Sequence, residues 1–555
     1  MQLPRLAWIC VFALLSVGCK DNPMQELAGR AQKMKQDENR KIMAPKELRS
    51  KAVKKRKQPE PPQEALDAIE RAFDASRGAA RQMGSGEAAA IDKVATAIRA
   101  SLELGPTLVV WLVDRTPSAQ SIVNGAIPAA QALYDAEDIR PLASATDPAL
   151  LSAVIAFDDK AEFLLDPPVG DAQQVQAAFD KIQPSTGGKE NTFAAIGQAL
   201  DKYLAYRTDA TQRREVLLVV ITDEAGDDGS LVEGLAEITR RNALPVYCLG
   251  SPAPWGQANP TLPDPKQPDA SKSDDSAPVY GPESFVSERV GVSMVRLDGE
   301  GNGFQDFDLV DSGFGPFALE RLCRAGGGQF FAIRPAESSE FTFRGQGYMF
   351  WPSGSELRFD PGTAGKYAPD YVSAEDHAQL LAENKARQAL VSAARLPKLA
   401  IVDSPSMRFA KSNEAQMKRD LDRAQQFAAK HAPGVDRLYD ALALGEADRA
   451  KLTGPRWQAQ YDLAMGRILA AKARVDGYNS MIAALKRGKT FANAASTTWV
   501  LEPADLFETE STIRKLAERS KTYLERVVNE HPGTPWAKIA AAELDSPLGW
   551  TWKEM

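Results

Sequence analysis

The chain reads as an α/β protein with a doubly wound, mostly parallel sheet, followed by an all-α helical domain. Three observations predict this. Thr107-Leu108-Val109-Val110-Trp111-Leu112-Val113 and Val216-Leu217-Leu218-Val219-Val220-Ile221 are continuous apolar runs, as strands covered on both faces require. Amphipathic stretches alternate with such runs, the pattern of βαβ units. From about residue 372 onward only long Ala-rich amphipathic stretches remain, at 373–395, 412–430, 456–487 and 509–529.

In order, a helix should follow the first strand to about Ala136. Ala153–Phe157 is a second strand, and helices are expected around 171–182 and from Phe193 to Tyr206. The strand at 216–221 is followed by a helix at 230–241 and a strand at Pro245–Leu249. Val290, Val292 and Met294 alternate with polar or small residues, which suggests an extra strand. Phe317–Cys323 is a last helix stopped by Gly326-Gly327-Gly328, and Phe330–Ile333 returns to the sheet. Ligands of such a sheet gather at the carboxyl ends of its strands.

With 555 residues the chain has room for two to four domains. A net charge of -7 argues against nucleic acid as a partner. The only histidines are His377, His431 and His531, all late in the chain. A histidine-based zinc site or a Ser-His-Asp triad in the strand-bearing region is therefore excluded by inventory.

The first residues carry an address. Arg5 precedes an apolar run from Leu6 to Val17, too short to span a bilayer. Leu15-Ser16-Val17-Gly18-Cys19 resembles a lipobox, with Ser16 where that pattern prefers Leu. The resemblance implies a signal peptide over 1–19, lipidation at Cys19, and a lipid-anchored place in the cell envelope, periplasmic or outer-membrane facing; ordinary secretory cleavage or a plain anchor are the alternatives. Residues 20–62, with a Lys/Arg cluster at 51–57 and prolines after it, read as a polar tether. Residues 63–104 read as a helical lead-in of two helices broken at Met83-Gly84-Ser85-Gly86. The α/β domain then covers 105–335 with an insertion at about 251–315, 336–371 is a linker, and 372–555 is the helical domain. Of the remaining cysteines, Cys248 and Cys323 could form a disulfide after export or serve as two small buried hydrophobes.

The first strand ends in Asp114-Arg115-Thr116-Pro117-Ser118, and the 216–221 strand runs into Thr222-Asp223-Glu224. Gly187-Gly188-Lys189-Glu190-Asn191-Thr192 opens the helix between them. This arrangement resembles the von Willebrand factor A domain, a Rossmann-like fold, over about 230 residues. That family carries a metal-ion-dependent adhesion site, with Asp-x-Ser-x-Ser after the first strand, a threonine from a middle loop and an aspartate after the fourth strand. The resemblance implies a divalent cation held by Asp114, Thr116, Ser118, Asp223, and Glu190 or Thr192. Two positions depart from the family. Thr116 replaces a serine and keeps its hydroxyl; Glu190 stands where the coordinating threonine is expected. Either Glu190 binds the ion as a third carboxylate, or it turns outward and Thr192 or water fills the position. An all-oxygen donor set suits Mg²⁺, Mn²⁺ or Ca²⁺. Glu224, Asp227 and Asp228, like Asp158 and Asp159, read as solvated loop acids or as acids on the rim of the site.

Trp457, Tyr461, Leu463, Ala464 and Gly466, and the stretch Tyr523–Ala540 with its Pro532-Gly533 turn, resemble parts of tetratricopeptide units, without a repeating period. An ordinary bundle is the alternative reading. Trp550 and Trp552 are expected to pin the tail against the last helices. The function expected is protein binding through the cation-dependent rim and the C-terminal helices, not enzymatic turnover, with a scaffold bearing a vestigial or structural metal as the alternative and a metal-assisted hydrolase behind it.

Overall fold

The computed structural model describes residues 86–255, 310–333, 359–396, 405–505 and 511–555, apart from 144–147, 312–313 and isolated positions. The expectations for Cys19, the signal segment, the tether, the first lead-in helix, the strand at 290–294 and Glu224 lie outside the described residues.

Strand β1 (Thr107–Asp114) is buried along its whole length. It lies between β2 (Leu150–Phe157) and β4 (Glu215–Ile221), both parallel to it. β5 (Val246–Gly250) and β6 (Phe330–Ala332) extend the sheet on the β4 side. β3 (Ala161–Val169) closes the other edge, antiparallel to β2. The order β3-β2-β1-β4-β5-β6 is doubly wound, and the chain reverses direction across the sheet between β1 and β4. Sequence reading passed over β3. It is an edge strand, half-exposed and containing Pro167 and Pro168, so it shows no continuous apolar run.

Strand alternation sorts the core into two layers. Val109, Trp111 and Val113 face helices α1 (Glu87–Leu104), α2 (Gln120–Leu133) and α3 (Ala172–Phe179). Leu108, Val110 and Leu112 face α4 (Thr192–Tyr203), α5 (Val232–Arg241) and α6 (Phe317–Ala325). Trp111 keeps its indole N–H satisfied inside the first layer by donating to the Tyr134 hydroxyl at 2.8 Å, and that hydroxyl meets Ser152 Oγ at 2.7 Å. Cys248 and Cys323 are both buried in the second layer and are not joined in a disulfide. The triple glycine does more than stop α6: a Cβ on Gly326 or Gly328 would stand 2.0 Å from the carbonyl oxygen of Leu244 or Val246.

The C-terminal half is helical: α7 (Ala374–Glu383), α8 (Lys385–Ala394), α9 (Glu414–Ala443), α10 (Pro455–Lys486), α11 (Ser511–Glu530) and α12 (Pro535–Leu544). The expected helix at 373–395 is two, because the Asn384 side chain accepts from Ala386 N and Arg387 N and caps a new start. α10 is buried on every side, from Trp457 and Tyr461 to Ile482, so it is the axle of this half. Its charges are paired inside: Arg474 with Glu543, and Asp462 with Arg449 and Arg526.

A small antiparallel sheet was not foreseen among these helices. It has the order β9-β8-β7, with β7 (Arg408–Ala410), β8 (Thr498–Ala504) and β9 (Gly549–Glu554). Trp550 does pin the tail, donating its indole N–H to Arg474 O at 2.9 Å on α10, whereas Trp552 packs within the sheet against Phe409 and Trp499.

The two halves share one aromatic cluster. Phe314 and Phe317 from the α/β half join Phe359, Tyr367 and Tyr371 from the connecting segment and Leu463, Leu524 and Trp536 from the helices. The Arg324 guanidinium lies 4.3 Å from the centre of the Tyr371 ring, and Arg321 donates to Tyr371 O. His531 is buried beside this cluster, 3.1 Å from the Tyr367 hydroxyl, and burial lowers its pKa from the ordinary 6.5 to about 4.

Two outcomes follow. Gly328→Ala should cost about 1–3 kcal/mol by overpacking, read as a lower melting temperature by circular dichroism; an unchanged value would mean that the 244–246 backbone gives way freely. Because the unfolded chain protonates His531 more readily than the native one, stability should be complete above about pH 6.5 and fall as the pH drops towards 4. Urea midpoints of His531→Gln should show a shallower acid slope than wild type over that window, and parallel slopes would contradict it.

Candidate metal centre

β1 alternation puts Asp114 on the same face as Leu112, towards α4. The register pairs Val113 with Ile221, so Thr222 comes beside Asp114 and Asp223 follows on the adjoining turn. Thr222 Oγ1 donates to Asp114 Oδ2 at 2.8 Å. Asp114 Oδ1 accepts from Thr116 N at 2.8 Å and Thr116 Oγ1 at 2.7 Å, which folds the loop back over the strand end. Burial pushes the Asp114 carboxyl upward, against these hydrogen bonds from Thr116 and Thr222.

Glu190 arrives from the start of α4. Its Oε1 lies 3.1 Å from Thr116 Oγ1 and 3.3 Å from Ser118 Oγ, and the two hydroxyls are 3.2 Å apart. Asp114, Glu190 and Asp223 each place a carboxylate oxygen so that all three lie within 4.8 Å of one another, and all three residues are buried. Two oxygens on one Mg²⁺ or Ca²⁺ lie at most about 4–5 Å apart, so the spacing fits a common ion. The donor set fits as well: three carboxylates and two hydroxyls, with neither nitrogen nor sulfur. Thr116 has one hydroxyl proton for the two carboxylates it touches. These oxygens are thus short of protons, and a cation is the natural remedy.

Five of the six residues expected at the centre therefore come together: Asp114, Thr116, Ser118, Glu190 and Asp223. Thr192 makes none of these contacts. Its hydroxyl is buried with no hydrogen-bond partner among the described residues, and it packs at Gly226, where a Cβ would come within 3.0 Å of it. Gly226 has φ +77°, a left-handed backbone, so both space and conformation call for glycine there.

Acids that the sequence left between a solvated loop and the rim of the site hold the Glu190 segment in place. Glu190 N donates to Asp227 Oδ2 at 3.0 Å, and Asp227 N donates back to Glu190 O at 2.8 Å. Asn191 N and Nδ2 donate to the carbonyls of Asp158 and Asp159, both at 2.9 Å. Asn191 is thus drawn away from capping α4, and Asp228 caps it instead, accepting from Phe193 N at 3.0 Å and Ala194 N at 2.6 Å. Asp158 is itself fixed by Arg115 Nε at 3.0 Å, and Arg115 also reaches Glu162. Asp158, Asp227 and Asp228 are structural ties of the rim. No local signal marks Asp228 as a cap, because a cap normally precedes its helix and this one comes from 35 residues further along.

No family model and no curated protein matches the chain. Several solved structures are similar to part of it. A conserved hypothetical protein BatB from Bacteroides thetaiotaomicron is 20% identical over 42% of this chain and 92% of its own, with a TM-score of 0.24. An aerotolerance-related membrane protein from Bacteroides fragilis is 18% identical over 41% of this chain and 92% of its own, with a TM-score of 0.24. The ArnB paralog VWA2 from Sulfolobus acidocaldarius is 15% identical over 27% of this chain and 36% of its own, with a TM-score of 0.19. These scores are low across the chain, and the fold stands on its own strand order and register.

Asp228→Ala should cost about 0.5–2 kcal/mol, the usual effect of losing a helix cap. Amide exchange should accelerate at Phe193 and Ala194 ahead of the rest of α4; uniform exchange along the helix would argue that Asp228 does not cap it.

Proposed function

We propose that this protein is a cell-envelope binding protein, held to a membrane by lipid at Cys19, which grips a protein partner through a divalent cation at the carboxyl-end rim of an A-like domain. The ion is Mg²⁺, with Mn²⁺ or Ca²⁺ as substitutes, and its ligands are Asp114, Thr116, Ser118, Glu190 and Asp223. The helical half offers a second protein-binding surface. The observation that carries this reading is the convergence of three buried carboxylates, from the end of β1, the turn after β4 and the segment before α4, at the point where the sheet reverses direction. No helix among the described residues is long and apolar enough to cross a membrane.

Binding is favoured over turnover because the rim supplies carboxylates and hydroxyls for holding an ion, while all three histidines of the chain lie in the helical half. A second reading has its own support. Asp114, Glu190 and Asp223 are 0%, 5% and 6% exposed and all belong to this chain, which would also suit an ion with a purely structural role.

Titration with Mg²⁺ or Mn²⁺ should raise the melting temperature of wild type, by about 2.7 kcal/mol of stability at a hundredfold excess over Kd, and leave Asp114→Ala unmoved. An equal shift in the variant would refute the centre. Crosslinked pull-downs from envelope fractions should lose their partner on chelation if the ion bridges, and keep it if the ion is structural. Cys19→Ala should abolish incorporation of labelled fatty acid; retained label would place the anchor elsewhere.

A further inference from the structure

We infer that Glu190 fills, from within the chain, the place at the ion that an acidic group from a partner could otherwise occupy, so that the partner completes the shell with a neutral oxygen such as a backbone carbonyl, a carboxamide or a hydroxyl. This rests on the metal reading above and sharpens it to the chemistry of the partner.

The first ground is charge. Asp114, Glu190 and Asp223 already surround the ion's place with three carboxylates, all of them buried. A divalent ion neutralises two of these, and Thr116 and Ser118 add neutral oxygens. One negative charge is left over at a site where water screens poorly. A further carboxylate would shed its hydration to enter a place already negative, which is the costly direction. A carbonyl or hydroxyl brings a dipole to the ion and no like charge.

The second ground is placement. Among the five residues at the centre, Ser118 alone is not buried, so the approach from solvent is on its side. Glu190 Oε1 lies against both Ser118 Oγ and Thr116 Oγ1. Its carboxylate therefore lines the side from which a partner would come. The third ground is that Glu190 is held there. Its backbone is tied to Asp227 in both directions and the next residue is tied to Asp158 and Asp159, so the segment cannot swing aside without breaking four hydrogen bonds. Those ties are themselves acidic residues, and exposed Asp227 adds to the negative field an incoming acid would meet.

The test uses purified full-length protein, Mn²⁺ as the ion and acetate as the carboxylate probe, with chloride at matched ionic strength as control. Free Mn²⁺ is read by electron paramagnetic resonance, and folding of each variant by circular dichroism. Wild type should bind Mn²⁺ with an affinity that acetate does not improve. Glu190→Gln should bind Mn²⁺ about tenfold or more weakly, since affinity follows the ligand charge count, and acetate should recover part of the loss. Glu190→Asp, which keeps the charge, should return the indifference to acetate. The inference falls if acetate tightens Mn²⁺ binding to wild type, or if Glu190→Gln binds Mn²⁺ as wild type does. If wild type binds no Mn²⁺ at all, the metal reading fails and this one with it, so the two failures are told apart. Should Glu190→Gln not fold, the acetate response of wild type alone still decides.

Discussion

Three buried carboxylates facing one another across less than 5 Å repel, and much of the α/β half is arranged to hold them there. Asp114 ends β1 and Asp223 stands two residues past the end of β4, and the register of these two parallel strands is fixed over seven residue pairs, so the sheet sets where both begin. The third comes from a helix start that has no such guide. It is fixed by ties on both flanks, to the loop after β2 and to the loop after β4. A segment left to itself would relieve the repulsion by turning Glu190 into water. The ties to Asp158, Asp159 and Asp227, with Asp228 capping α4, keep the backbone of this segment from carrying Glu190 away.

How far this could be read in advance depended on whether each signal was local. The strands buried on both faces announced themselves as unbroken apolar runs, and Asp114, Thr116 and Ser118 stood together after the first of them. The spacing of these residues said which side chains would share a rim. It did not say whether Glu190 faces in or out, because its segment is placed by hydrogen bonds to loops 32 to 37 residues away. Thr222 was visible as a neighbour of Asp223, but its bond to Asp114 spans 108 residues and exists only through the β1–β4 register. The same distinction explains the small sheet in the C-terminal half. β7, β8 and β9 are drawn from positions far apart in the chain and are short, and the long helices between them dominate any periodicity.

The helical half shows a related economy. α10 is apolar enough all round to lie in the middle of its neighbours, yet it carries Asp462, Arg467 and Arg474, all buried. Pairing with Arg449, Arg526 and Glu543 makes these charges tolerable and gives the surrounding helices specific places to dock, since a shifted neighbour would strand a charge without its counterion.

The shared aromatic cluster has a consequence for how the molecule can be divided. Phe317 begins α6, a helix that packs on the sheet, and the same ring stacks on Tyr371 in a cluster completed by Trp536 and Leu524 of the far half. Cutting the chain between the halves would leave each with a greasy scar of the sort that draws proteins into aggregates. The seam that reads from the sequence as a linker is, in physical terms, a shared interior, so a pull on the helices is a pull on the sheet.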